Sequence, residues 1–208
     1  VFSVGPVAEN LRITEIMYHP QDTNDPADAN AEYIELQNIG SQAIGLALVR
    51  FSDGVDFVFP DRVLEAGHRV LVVKDITVFA TRYPGFSHLV AGEYAGSLAN
   101  NGERIVLEDA AGQTILSFKY EDQWRDITDG QGFSLTIIDA TNPDPNSWND
   151  KSAWRASAEP GGSPGWDDSG ILPNPGDVVI NEVLAHSHAL AADWICLLYT
   201  SPSPRDLS

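Results

Sequence analysis

The sequence predicts an all-β domain, a sandwich or a barrel, and three observations carry that prediction. Short apolar segments recur from residue 11 to residue 156, most of them with apolar and polar side chains interleaved. Such alternation buries one face of a strand and leaves the other for solvent or a second layer. Thirteen prolines and seventeen glycines separate the segments, marking many turns. Only residues 75–83 carry helix boundary signals. The count comes to about eight to ten short strands and at most one short helix, which argues for packed sheets.

Residues 11–18 (LRITEIMY) and 32–38 (EYIELQN) read as the first two strands, joined through an acidic loop at 20–30 that contains Pro20 and Pro26. Residues 46–51 (LALVRF) and 55–59 (VDFVF) flank Ser52-Asp53-Gly54, the signature of a hairpin turn. Pro60 ends that run. Residues 70–73 form an apolar strand after Ala66-Gly67-His68. In residues 75–83 (DITVFATRY), Asp75 can cap a short helix and Pro84-Gly85 can stop it. Residues 104–109 and 114–120 make the clearest hairpin, turned by Ala110-Ala111-Gly112 and preceded by Asn101-Gly102. Residues 133–139 (FSLTIID) are a further strand, 142–149 a Pro/Asn-rich coil, and 153–156 a last edge segment.

Residues 161–176 (GGSPGWDDSGILPNPG) read as a Gly/Pro/Asp linker, after which the pattern restarts. Ile13, Glu15 and His19 recur as Ile180, Glu182 and His186. Residues 192–197 (ADWICL) echo residues 31–36 (AEYIEL), with Cys196 in the place of Glu35. This is a tandem repeat whose second copy stops after two strands. The polar, proline-bearing residues 198–208 match nothing in the first copy and are expected to be non-native or disordered. The division is therefore an N-terminal segment 1–10, a β domain 11–165, a linker 166–177, a partial second copy 178–197, and a tail 198–208.

The chain carries 30 acidic and 12 basic residues, a net charge of −18. Such a surface repels phosphate backbones, and no Lys/Arg run interrupts it, so nucleic acid is a disfavoured partner. Cys196 is the one cysteine, which excludes an intramolecular disulfide and a Cys-rich zinc site. No apolar run of about 18 residues is present, so no membrane insertion is expected. The chain starts at Val1 without a basic-then-apolar leader. It is read as part of a longer exported protein whose signal lies upstream.

Three groups of residues carry a family resemblance. The opening strands contain Thr14-Glu15-Ile16 and Glu32-Tyr33-Ile34-Glu35-Leu36-Gln37-Asn38. The central hairpin runs from Leu98 through Asn101-Gly102-Glu103-Arg104-Ile105-Val106-Leu107-Glu108-Asp109 and Gly112 to Tyr120. The closing part holds Gly132-Phe133-Ser134-Leu135, Trp154 and Gly162-Ser163-Pro164-Gly165. In this order and spacing they resemble the lamin tail domain family, bacterial extracellular type, over about residues 11–165, with the restart at 178–197 as a truncated second copy. The resemblance implies an immunoglobulin-like β-sandwich with no established catalytic site. Bacterial members are typically modules of large exported proteins, beside nucleases, phosphatases or a spore-coat-kinase-like domain. The implied function is a non-catalytic binding or spacer module, extracellular or at the cell surface, with protein or glycan partners and the other domains of the parent chain. The alternatives are an accessory domain that positions a hydrolase or kinase-like domain, and a weak calcium- or carbohydrate-binding module.

No catalytic or cofactor-binding constellation stands out, and calcium is the one candidate ion. Glu15 and Glu35 sit mid-strand where alternation calls for apolar side chains. If their strands pair, the two carboxylates meet. They then either hold a cation or a proton, or bond backbone amides and an arginine. The structural role is the expected one. Asp22, Asp25, Asp28 and Asn30 cluster in the acidic loop and are the calcium candidates, although no D-x-[DN]-x-[DN]-G loop is present. Asp144, Asn146 and Asp150 form a looser group. His19, His186 and His188 are the candidate transition-metal ligands, and His186-Ser187-His188 has no third ligand of the right type nearby. Gly161-Gly162-Ser163-Pro164-Gly165 has the spacing of a nucleophile elbow, but Pro164 lacks the N–H that an oxyanion hole requires. Trp124 and Trp148, in loop-like surroundings, are the candidates for stacking on a glycan.

Overall fold

The computed structural model describes residues 5–170, 178–184 and 194–199, in two units, Val1–Asp168 and Ser169–Ser208. In the first unit the elements are α1 (Pro6–Asn10), β1 (Leu11–Met17), β2 (Tyr33–Asn38), β3 (Ile44–Gly45), β4 (Arg50–Asp53), β5 (Phe57–Val58), β6 (Val63–Leu64), β7 (Arg69–Val73), α2 (Ile76–Arg82), β8 (Val90–Glu93), β9 (Arg104–Glu108), β10 (Thr114–Lys119), β11 (Leu135–Ile137) and β12 (Trp154–Ala156). Short 3-10 turns fill several of the connections.

One sheet has six strands in the order β12-β11-β1-β2-β7-β8, a second has four in the order β10-β9-β4-β5, and β3 pairs with β6. Side chains from the two larger sheets share one core. Ile13, Ile16, Ile34, Leu36, Val70 and Val72 of the first meet Phe51, Ile105, Leu107, Leu116 and Phe118 of the second. This is the all-β sandwich expected from the sequence. Burial of these apolar faces is the main source of its stability, at about 25 cal/mol per Å² removed from water.

A β-bulge in β1 sets the position of the functional residues. The register with β2 runs Ile13↔Leu36 and then Glu15↔Glu35, so Thr14 is the extra residue. An unbroken strand would send residues 11, 13, 15 and 17 to one face. The bulge shifts the phase, so that Leu11, Ile13, Ile16 and Tyr18 join the main core. Met17 goes to the opposite face, into a second cluster with Tyr33, Leu71, Val73 and Phe79. Helix α2 supplies Phe79 to that cluster, and its N-cap Asp75 accepts the amides of Thr77 and Val78.

Several local expectations change. Residues 46–51 are not one strand. Val49 N–H closes a turn on the Leu46 carbonyl, Leu48 has φ +63° and is 62% exposed, and the ladder begins only at Arg50. Strand β8 was not expected from its short, small-residue sequence Val90-Ala91-Gly92-Glu93. It pairs parallel with β7 across α2, while the other strand pairs of the sandwich are antiparallel. Helix α1 adds a second short helix to the expected one, with Val7 and Ala8 packed on the core, so residues 5–10 belong to the sandwich. The sandwich also continues past residue 165. Asp168 is buried, pairs with Arg155 and accepts the Ala158 amide at 2.6 Å.

In the second unit, β13 (Val178–Leu184) pairs antiparallel with β14 (Trp194–Tyr199). Its bulge lies between Ile180 and Glu182, where β1 has its own between Ile13 and Glu15, and Glu182 faces Cys196. Strand β14 runs two residues into the segment 198–208 read as a tail. Residues 171–177 of the linker, His186, His188 and residues 200–208 lie outside the described residues.

Candidate functional site

Glu15 and Glu35 are Cα partners on the outer face of the six-stranded sheet, and both are buried, at 1% and 0% exposure. A strap, residues 161–165, covers them. Glu15 Oε1 accepts three hydrogen bonds: from the Tyr33 hydroxyl at 2.6 Å, the Ser134 hydroxyl at 2.5 Å and the Ser163 amide at 2.7 Å. Glu15 Oε2 meets the Ser163 hydroxyl at 3.2 Å. Glu35 Oε1 accepts from the Arg69 guanidinium at 2.5 Å and from the Thr14 hydroxyl at 2.7 Å, and its Oε2 from the Gly165 amide at 2.6 Å. The bulge turns Glu15 outward beside Glu35, and Thr14, the residue that makes it, bonds to Glu35.

Two tyrosines anchor the start of the strap. The Tyr83 hydroxyl donates to the Gly161 carbonyl at 2.8 Å, and the Tyr33 hydroxyl lies 3.3 Å from the same oxygen. Their rings meet edge to face at 5.7 Å. Gly162 has φ +79°, and a Cβ there would fall onto Tyr33 Oη and Glu15 Oε1. Only glycine allows the backbone to approach the carboxyl group this closely.

Burial, and after it the charge of Glu35, push Glu15 up to about 7. Burial pushes Glu35 up as well, with the Arg69 charge opposing. The Tyr33 hydroxyl is pushed well above its ordinary value, by burial first and then by Glu15. Amides and hydroxyls thus bond to both carboxyl groups, and an arginine reaches Glu35.

The acidic loop does not gather its candidates into a cage. Asp28 is buried and accepts from the Thr23 amide and hydroxyl and from the Asp25 amide, and it pairs with Arg82. Asp22 accepts the Asn24 amide and Asp25 the Ala27 amide, each closing a local turn. The Asn30 amide N–H closes another turn on the Ala27 carbonyl. Asp144 and Asp150 cap two 3-10 turns, and Asn146 donates to Asp144. His19 Nδ1 stands 2.5 Å from Asp129 Oδ1. Among the described residues, no three His, Cys, Asp or Glu side chains come together as metal ligands.

The tryptophan expectation needs correction. Trp148 is fully buried, its Nε1–H donates to the Ile13 carbonyl at 3.0 Å, and its ring is core, so it has no face for a glycan. Trp124 is half-buried against the same core, its ring 6.2 Å from that of Trp154. The aromatic groove lies elsewhere. A cavity of about 490 Å³ beside the strap is lined by Tyr83, Phe86, Trp166, Pro164, Gln21 and Thr23, among others, and Trp166 is 39% exposed. Ser163 of the elbow-like motif is 2% exposed and packed against Glu15, within a turn rather than between a strand and a helix. Sequence reasoning missed the roles of Tyr33, Arg69, Tyr83, Ser134, Ser163 and Gly165. The doubled glycine at 161–162 was the available signal.

Among the described residues, no helix is long and apolar enough to cross a membrane. The family model described as Lamin Tail Domain matches residues 6–122, more than half of the chain. No curated protein matches.

Proposed function

The chain belongs to the lamin tail domain family, and from that premise we propose that it serves as a non-catalytic binding or spacer module in a larger exported protein. One observation carries this reading. The groups with chemical potential are buried beneath the strap on the outer face of the six-stranded sheet, where Ser163 bonds to Glu15 and the Gly165 amide to Glu35. A hydrolase would need its nucleophile in an open cleft with oxyanion donors. Here the serine is buried and is followed by Pro164, which has no N–H to donate. The net charge of −18 adds support, since it disfavours phosphate-bearing partners. The test has two parts. The full chain is assayed against activated esters, phosphate monoesters and duplex DNA, with no turnover expected. Turnover that Glu15→Gln abolishes would overturn the non-catalytic reading. The complete parent gene is then read for an export signal and companion domains. A parent with neither would remove the exported-module reading, and a hydrolase or kinase-like companion would favour the accessory role.

A second reading, weak binding of a neutral saccharide, has its own observation. The groove beside the strap combines the rings of Tyr83, Phe86 and Trp166 with the neutral polar side chains of Gln21 and Thr23. Aromatic faces with a few polar groups at the rim suit the apolar faces and hydroxyls of a sugar. A glycan array probed with the full chain and with Trp166→Ala tests it. Retention of equal binding by the variant would remove the groove from consideration.

A further inference from the structure

The two carboxyl groups beneath the strap are served unequally, and the inequality locates a proton. The cation that reaches the pair, Arg69, bonds to Glu35. Among the described residues, no cation forms an ion pair with Glu15. Three neutral donors crowd its Oε1, while among the described residues its Oε2 meets only the Ser163 hydroxyl. A hydroxyl accepts as readily as it donates. A neutral carboxylic acid, with its proton on Oε2 and directed at Ser163 Oγ, therefore satisfies every atom of the group. A carboxylate in the same place would put two buried negative charges against one guanidinium.

We propose that this proton is a latch: while Glu15 holds it, the strap of residues 161–165 stays closed over the carboxyl pair, and when it leaves, the strap lifts and water reaches both groups. Of the elements around Glu15, the strap is the one free to yield. Strands β1, β2, β7 and β11 are fixed in one ladder. The strap is in no ladder, and it is held by the Gly161 amide on the Gly132 carbonyl, the two tyrosine hydroxyls and the carboxyl contacts.

The charged and titratable groups facing Glu15 are Tyr33 and Glu35 from β2, Arg69 from β7, and Tyr83 at the end of α2. Strand β11 offers the neutral Ser134 and Thr136, and Asp167 lines the same small cavity of about 60 Å³. Burial and the Glu35 charge hold Glu15 at about 7 in the closed form, against 4.5 for a hydrated glutamate. An acid whose value is raised by closure favours the closed form fully below the hydrated value. That advantage disappears as pH rises from the hydrated value to the closed one. Between pH 5 and 7.5 the opening equilibrium should rise about fifty-fold.

Hydrogen exchange of the full chain, followed by mass spectrometry over peptides spanning residues 159–167, tests the latch. Exchange is corrected for its intrinsic pH dependence. Protection of the strap in the wild type should fall about fifty-fold from pH 5 to pH 7.5, while Glu15→Gln, whose amide can donate permanently to Ser163 Oγ, should show a flat profile. Glu35→Gln provides an independent arm. It removes the neighbouring charge and leaves Glu15 in place, so the transition should complete at a lower pH. Strap protection that is constant with pH in the wild type would overturn the proposal, as would a wild-type profile retained in Glu15→Gln.

Discussion

Gly161 and Gly162 are neighbours in the strap, and alanine at each should separate two costs that are usually confounded. Both have positive φ, +98° and +79°, so each substitution carries the left-handed penalty of about 1 kcal/mol. Their surroundings differ. A Cβ on Gly161 would lie 3.8 Å from Tyr83 Cε1, an ordinary contact. A Cβ on Gly162 would occupy the place of Tyr33 Oη and Glu15 Oε1, so either the strap or the carboxyl group must move. Displacing the Tyr33 and Ser163 hydrogen bonds to a buried carboxyl adds roughly 1–3 kcal/mol. Gly162→Ala should thus cost about 3 kcal/mol and Gly161→Ala about 1. Urea unfolding of the full chain, followed by tryptophan fluorescence, measures both. With a slope of about 2 kcal/mol per molar, the midpoints should drop by about 1.5 M and about 0.5 M. Equal midpoints for the two variants would refute the close approach as the reason for glycine at 162.

Three further outcomes follow from the same geometry. Global stability of the wild type should be higher at pH 5 than at pH 7.5 by about 2 kcal/mol, because the folded state holds the Glu15 proton that the unfolded chain releases. Below about pH 4 the ordinary acid loss should set in, as Asp28, held low by the Thr23 amide, is protonated. Urea titrations across pH check both limbs, and stability that rises steadily from pH 5 to 7.5 would contradict the first. Arg69→Met should cost about 3–5 kcal/mol by leaving Glu35 buried without its cation, and adding Glu35→Gln should recover most of it in a double-mutant cycle. Trp148→Ala should cost about 3–5 kcal/mol, while Trp124→Ala, at a half-buried position, should cost well under that. Equal costs would mean that the core extends to Trp124.

The fold class was legible because one-sided burial leaves alternation in the strands, and the hairpin at 104–119 showed both its strands and its turn. The bulge was legible in part. Leu11, Ile13, Ile16 and Tyr18 change phase between 13 and 16, and that break is what turns Glu15 away from the core. The recurrence of Glu182 showed that the glutamate belongs to the strand pattern, but pairing with Glu35 needed the register. What the sequence could not show was long-range. The strap reaches Glu15 across 148 residues, and nothing local in Gly-Gly-Ser-Pro-Gly says that its amides end on carboxyl groups. The same limit hid Trp148. Its neighbours in the chain are polar, yet the indole crosses 135 residues of sequence to the Ile13 carbonyl. Strand β8 was hidden because its small residues carry little β signal, and β7 and α2 hold it in place.

The strap is also the route by which the sandwich hands the chain on toward Asp168 and the second unit. Tension applied to the C-terminal side would therefore load the Asp168–Arg155 ion pair first, and then the amides of Gly165 and Ser163 on their two carboxyl groups. These attachments would be tested one at a time, before any sheet is sheared. The load on that side would thus reach the ion pair and the two strap amides before the strands of the six-stranded sheet.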